Sequence, residues 1–179
     1  MADLESGYRI VGIESIQMGN TPGKAAVSTN YIVVAASLTT ISNIVPDSAG
    51  MIIDPETSND FFVENKPEVD CQIKTTGKKY IEFATRDMGP SMLAFFLRGA
   101  ASGASVWKAP TTGSTVMEKC ARIVTKEING STFIIEIPRI SITVGGKLKF
   151  GKTETGTLAI SATIMQPYCS CAPWKTTLS

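Results

Sequence analysis

The chain has 179 residues, a formal net charge of +1, 43% hydrophobic and 18% charged residues, and no histidine. That length holds one domain with a sizeable core, and a net charge this near zero leaves no electrostatic footprint for nucleic acid. Without histidine the chain lacks the commonest general base, the commonest metal ligand and the usual near-neutral switch. The charged fraction is below the quarter or so typical of soluble domains, which points to surface covered by a partner. No apolar run approaches the roughly 18 residues of a membrane span. The start, Met1-Ala2-Asp3-Leu4-Glu5, is acidic and has no signal-peptide core. The expectation is a chain made and folded in a cytoplasm.

Residues 8–18 alternate, but both alternating sets contain apolar residues (Ile10 and Ile16; Val11 and Ile13), as in a strand covered on two sides. Gly19-Asn20-Thr21-Pro22-Gly23 is a turn. Residues 29–45 are rich in β-branched residues and reach Pro46 without a proline. Residues 46–67 differ. Turn formers there surround two apolar islands, Met51-Ile52-Ile53 and Phe61-Phe62-Val63. This is a long excursion between strands, long enough to hold a hairpin of its own, and loops of that length inside a compact domain are functional or disordered. Two adjacent phenylalanines speak against disorder; the plain alternative is that Phe61 or Phe62 tucks into the core. Residues 69–73 and 80–85, joined by Thr75-Thr76-Gly77-Lys78-Lys79, have a hairpin signature.

The single helix is expected at about 88–98. Asp87 is placed to cap its free amides, Pro90 fits the first turn, and Gly99 can take the left-handed conformation that closes it. Met92, Leu93, Phe95, Phe96 and Leu97 leave almost no polar face, so so short a helix has to lie on a sheet. After a connector of small residues, a short strand holds Trp107. Residues 116–128 and 132–142 flank Asn129-Gly130, a dipeptide suited to a two-residue hairpin turn. Pro138 marks a bulge or an edge there. Residues 157–165 form a last strand, and an irregular tail follows. The fold class is therefore mainly β with some α: one domain over 1–179, an antiparallel sandwich or barrel-like sheet flanked by one helix, with terminal arms at about 1–8 and 167–179.

No catalytic constellation assembles. Ser105-Val106-Trp107-Lys108 has an S-x-x-K spacing, but it sits in a strand rather than at a helix start. Glu64, Glu68 and Asp70 read as solvated carboxylates. Asn129-Gly130-Ser131 matches a glycosylation acceptor and reads as a turn. Cys169-Ser170-Cys171 supplies two thiols, too few for a tetrahedral zinc site, and Cys71 and Cys120 could complete one only through the fold. The expectation is four free, reduced thiols, with no metal, no cofactor and no enzyme activity.

The order of elements carries a resemblance. Paired long strands precede the excursion at 46–67, which ends in Glu64-Asn65-Lys66-Pro67. A strand then runs through Tyr80-Ile81-Glu82-Phe83-Ala84-Thr85 and Arg86-Asp87-Met88-Gly89-Pro90 into the helix that closes at Gly99, and C-terminal hairpins follow. This order resembles the major tail tube proteins of tailed bacteriophages, and by extension the tube proteins of contractile injection machines. The resemblance is one of pattern over most of the chain rather than of a diagnostic motif. It implies a structural virion protein of the tail, assembled in the host cytoplasm into stacked hexameric rings. DNA would pass through the resulting hollow tube without specific binding. The partners implied are further copies of the chain, with sheath, tape measure, tail terminator and baseplate proteins beside them, and no membrane. By position the long loop would reach a neighbouring ring, with Met51, Ile52, Ile53, Phe61, Phe62 and Val63 as the contact residues. Residues 116–142, 157–165 and 29–45 would line the channel. The other reading is a β-sandwich binding module, an adhesin or carbohydrate-binding domain, for which Trp107 and Trp174 are the only tryptophans that could form a platform.

Overall fold

A computed structural model describes residues 10–21, 37–62, 69–103, 105–111, 116–127, 131–145, 156–168 and 171–178. In chain order these form β1 (Ile10–Asn20), β2 (Thr39–Ile41), β3 (Gly50–Ile53), β4 (Thr57–Phe62), β5 (Val69–Thr75), β6 (Lys79–Thr85), α1 (Pro90–Leu97), β7 (Ala100–Ser102), β8 (Val106–Lys108), β9 (Met117–Glu127), β10 (Thr132–Gly145), β11 (Leu158–Ile164) and β12 (Lys175–Leu178). Eight strands make one antiparallel sheet in the order β2-β1-β9-β10-β11-β6-β3, with β12 also paired to β10. Two small sheets, β4-β5 and β7-β8, stand apart from it. The fold is mainly β with one helix, as the sequence predicts.

The core follows the period-2 rule of strands. Ile81, Phe83 and Thr85 of β6, Leu158, Ile160 and Ala162 of β11, Ala121, Ile123 and Thr125 of β9, and Ile16 and Met18 of β1 are buried. The mixed pattern of β1 has a local cause. Its register against β9 shifts between Ile10 and Ile13 and again between Ile13 and Ser15. A bulge changes which alternate residues face inward, so Ile13 packs on the same core as Ile16 and Met18. Two-sided cover is not needed to explain the apolar residues on both sets.

Pro138 marks a bulge in the same way. Ile137 pairs with Ala121, yet Ile140 pairs with Lys119. The extra residue moves the buried positions from odd (Ile135, Ile137) to even (Ile140, Ile142). At this point β10 also changes its second partner, from β12 at residues 133–136 to β11 at residues 140–145. A proline fits where the ladder is interrupted, because it has no N–H to donate.

A polar clamp holds the bulge. Arg139 donates from Nε to Glu118 Oε2 (3.0 Å), from Nη2 to Glu118 Oε1 (2.6 Å) and from Nη1 to the Gln166 carbonyl (3.0 Å). Tyr168 donates its hydroxyl to Glu118 (2.8 Å), and its ring centroid lies 4.1 Å from the guanidinium. The Arg139 guanidinium first, and the Tyr168 hydroxyl next, hold the Glu118 carboxyl below the usual carboxylate range. A depressed carboxylate contributes stability above its unfolded pKa, about 4.3, and that stability is lost as pH falls through the folded value. Glu118→Gln is therefore expected to lower stability by about 1 kcal/mol at pH 7, allowing for solvent screening. In urea unfolding across a pH series, the gap between variant and parent closes below about pH 4.

Helix α1 begins two residues later than the sequence predicts. Pro90 disfavours the α region for the residue before it, and Gly89 is extended (φ −59, ψ 147) and acts as N-cap without a side-chain hydrogen bond. Asp87 is not the cap. Its carboxylate instead accepts from the Gly89 amide (3.0 Å) and the Ser42 hydroxyl (2.6 Å). The helix ends as expected at left-handed residues, Arg98 (φ 63) and Gly99 (φ 86). A Cβ on Gly99 would lie 2.1 Å from the Lys108 carbonyl oxygen, so the β7-β8 hairpin packs against a position that only glycine fills. Met92 and Phe96, one turn apart, are buried on the sheet, where Phe96 meets Phe83 edge-on at 6.2 Å.

The main sheet also closes on itself. Past Ile41, residues 42–45 leave β1 and cross to β6, where Ile44 bridges Thr85. The Val45 amide donates to the Ala84 carbonyl (2.8 Å), and the Arg86 amide to the Asn43 carbonyl (3.0 Å). The result is barrel-like rather than two stacked sheets.

Candidate assembly surface

The excursion at 46–67 resolves into two parts that share one ladder. Against β6, Gly50 pairs with Glu82 and Ile53 with Lys79. Against β5, Thr57 pairs with Thr75 and Phe61 with Cys71. Each pair of residue numbers adds to the same value, so the register runs unbroken from the barrel wall into β4-β5. Residues 50–61 and 71–82 are thus one antiparallel ribbon in constant register, relaxed at residues 54–56 and 76–78, and the register shifts by one residue beyond Phe61, where Phe62 pairs with Val69. The Asp54 amide still donates to the Lys78 carbonyl across that junction (2.8 Å). Only glycine fits opposite it: a Cβ on Gly77 would lie 2.0 Å from the Asp54 carbonyl oxygen. Next to the junction, burial first, and then the Asp54 and Glu82 carboxylates, push the Tyr80 phenol up.

Beyond the junction the ribbon is an arm about 20 Å long, from six residues at roughly 3.3 Å each. Among the described residues its strands pair only with each other. Thr57, Ser58, Asn59, Ile73, Lys74 and Thr75 are all exposed, so this part of the arm does not lie on the barrel. Ile53 and Ile73 are 57% and 53% exposed. Because Ile73 pairs with Asn59 in the constant register, the two isoleucines occupy ladder positions of the same parity.

The predicted contact residues separate accordingly. Met51, Ile52 and Ile53 lie in β3, at the wall of the barrel, the first two half-buried and the third exposed. Phe61 and Phe62 lie in β4, in the arm, with their backbones paired to Cys71 and Val69; their side chains are outside the described residues. Val63 is outside them as well, as are Glu64, Asn65, Lys66, Pro67, Glu68 and the Asn129-Gly130 turn, and so are the side chains of Cys71 and Asp70. Of the strands expected to line a channel, β9, β10 and β11 are neighbours in the main sheet, and β2 belongs to the same sheet; residues 29–36 are outside the described residues. So are residues 1–9.

Cysteine usage needs a correction. Cys120 is a buried free thiol, but Cys171 is disulfide-bonded. The chain does not carry four free thiols. Pairing requires two thiols within a few ångströms in a specific geometry, which cysteine counting in the sequence does not reveal. Cys169 lies outside the described residues. Burial first pushes the Cys120 thiol up, which makes it a packing group rather than a nucleophile.

Both tryptophans are engaged in packing. Trp107 donates from Nε1 to the Arg98 carbonyl (2.7 Å) and so closes the end of α1. Trp174 packs on the core beneath the Lys79 ammonium, 5.0 Å from its ring centroid. Ser105 directly precedes the short strand β8 and Lys108 ends it, so the S-x-x-K spacing does not sit at a helix start. Among the described residues no group of three or more Cys, Asp or Glu could hold a metal ion, and no helix is long and apolar enough to cross a membrane. Among the described residues there are shallow cavities of about 580 Å³ between residues 12–14 and 41–49, and of about 400 Å³ over Glu82, Ala84, Thr143, Ala159 and Ser161. The residue of this candidate surface that sequence reasoning missed is Gly77, whose only signal was a turn-like neighbourhood. Compared with known proteins, the chain matches no family model and no curated protein sequence.

Proposed function

We propose that the protein is a structural subunit that assembles with copies of itself into stacked rings forming a hollow tube of the phage tail-tube type, a virion component through which DNA passes without specific binding. The observation that carries this reading is the projecting ribbon arm, continuous with the barrel wall and bearing exposed Ile53 and Ile73. A paired arm with apolar residues and, among the described residues, no cover is a liability unless another chain covers it. Head-to-tail contact between identical copies supplies such cover and closes rings or continues them into a tube. The near-zero net charge agrees with a channel that lets DNA slide past. Sheath, tape measure, terminator and baseplate proteins are the neighbours this reading implies.

Negative-stain imaging and sedimentation of the purified protein test it. Rings or tubes far heavier than a 19.1 kDa chain are expected. Burying one isoleucine contributes about 1.5–3 kcal/mol, so Ile73→Asp is expected to weaken each contact by about 10–100-fold and to leave folded monomer. A parent protein that stays monomeric at high concentration overturns the proposal.

A further inference from the structure

The two margins of the main sheet are joined, among the described residues, by residues 39–48 alone. Three residue pairs fix this segment to β1, and a single bridge, Ile44 to Thr85, places it on β6. The barrel's other junctions, β1-β9, β9-β10, β10-β11 and β11-β6, each have between six and nine pairs. Side-chain hydroxyls do most of the remaining fastening. Thr85, fully buried, donates to the Ser42 carbonyl (2.8 Å) and accepts from the Asp87 amide (3.0 Å). Ser42 donates to the Asp87 carboxylate (2.6 Å), while Ser48 accepts from the Ala84 amide (3.0 Å) and donates to the Val45 carbonyl (2.6 Å). Asn43 and Asp47 both hold left-handed backbone (φ 53 and 58), a conformation that costs free energy in non-glycine residues. The 580 Å³ cleft runs along the same segment and brings solvent to its flank. Few backbone bonds, local strain and solvent access mark the part of a fold that opens first.

We infer that this seam is a self-inhibiting latch: it seals the barrel in a lone copy, and it opens on assembly so that the edge of β6 at residues 84–86 pairs with a strand of a second copy. The inference rests on the self-assembly reading. A sheet can continue from one copy into the next only where a backbone edge is available. The sealed seam occupies that edge and keeps lone copies from joining in the wrong order.

The test locks the latch. Ile44→Cys with Thr85→Cys places two thiols on directly opposed residues, within disulfide reach. When oxidised, this variant is expected to remain monomeric in sedimentation and imaging; when reduced, it assembles as the parent does. Ser42→Ala, which loses the bond to Asp87, is expected to assemble about tenfold faster. Oxidised protein that assembles at the reduced protein's rate overturns the latch, while the assembly reading stands. A parent that never assembles overturns both. If the double variant does not fold, amide exchange on the parent decides. In the assembled state the Val45 amide is expected to lose protection while the Arg86 amide keeps it, and equal protection of both in monomer and assembly overturns the latch.

Discussion

Truncating Phe96 to alanine is expected to lower the unfolding free energy by about 3–5 kcal/mol. Phe96 is 1% exposed, and its ring meets Phe83 at 6.2 Å and Phe95 at 5.1 Å, both edge-on. It is the main anchor by which α1 is fixed to the sheet. An eight-residue helix has little stability of its own, so loss of the anchor costs the transfer free energy of the ring, the cavity left behind and the docking of the helix together. Total stability for a domain is only about 5–15 kcal/mol, so this one change removes a large share. Urea unfolding gives the measurement: the midpoint falls and the slope stays unchanged. Phe95→Ala is the control. Phe95 is only half-buried, beneath the Lys119 ammonium 4.5 Å from its ring centroid, and its truncation is expected to cost less than half as much. Equal losses from the two would mean that α1 is not held through Phe96.

Replacing Gly77 with alanine is expected to abolish assembly while leaving the barrel folded. The added Cβ would sit 2.0 Å from the Asp54 carbonyl oxygen and 2.7 Å from that of Pro55. Both are backbone atoms, which cannot swing aside as a side-chain end can. The two strands must separate at the junction, the hydrogen bond from Asp54 to Lys78 breaks, and the arm changes direction. None of the buried core residues lies at this junction, so the global unfolding midpoint shifts little. Amide exchange reads the effect directly: Asp54 and the β4-β5 ladder lose protection, and β9 and β10 do not. Imaging reads the consequence as loss of tubes. Unchanged exchange at Asp54 together with normal assembly would show that the arm's aim does not depend on this close approach.

Several features were legible in the sequence because local chemistry decides them. Residues 117–127 and 158–164 are strands, as their β-rich composition predicts, and a pleated strand turns successive residues to opposite faces. Pro90 and Gly99 bracketed the helix, and Pro138 marked the bulge, since each imposes or permits one backbone geometry. The start of the helix was misplaced at Asp87 because the restriction that Pro90 puts on Gly89 outweighs the capping preference of the aspartate.

The partners of those strands were not legible. Period 2 is the same whichever neighbour a strand takes, so nothing local distinguishes β1 beside β9 from β1 beside any other strand. The clamp of Glu118, Arg139 and Tyr168 joins residues 21 and 50 positions apart. The sequence by itself determined the longer strands, the single helix, the bulge and an excursion with two apolar islands; it missed β7 and β12, in stretches read as a connector and an irregular tail, and the hairpin it suggested across residues 69–85 is not formed, because β5 pairs with β4 and β6 with β11 and β3. Only the tertiary structure decided that the excursion continues the β3-β6 ladder in the same register as far as Phe61 and that residues 42–48 close the barrel, because contacts between distant segments form only where the packing of the whole chain repays the entropy of bringing them together.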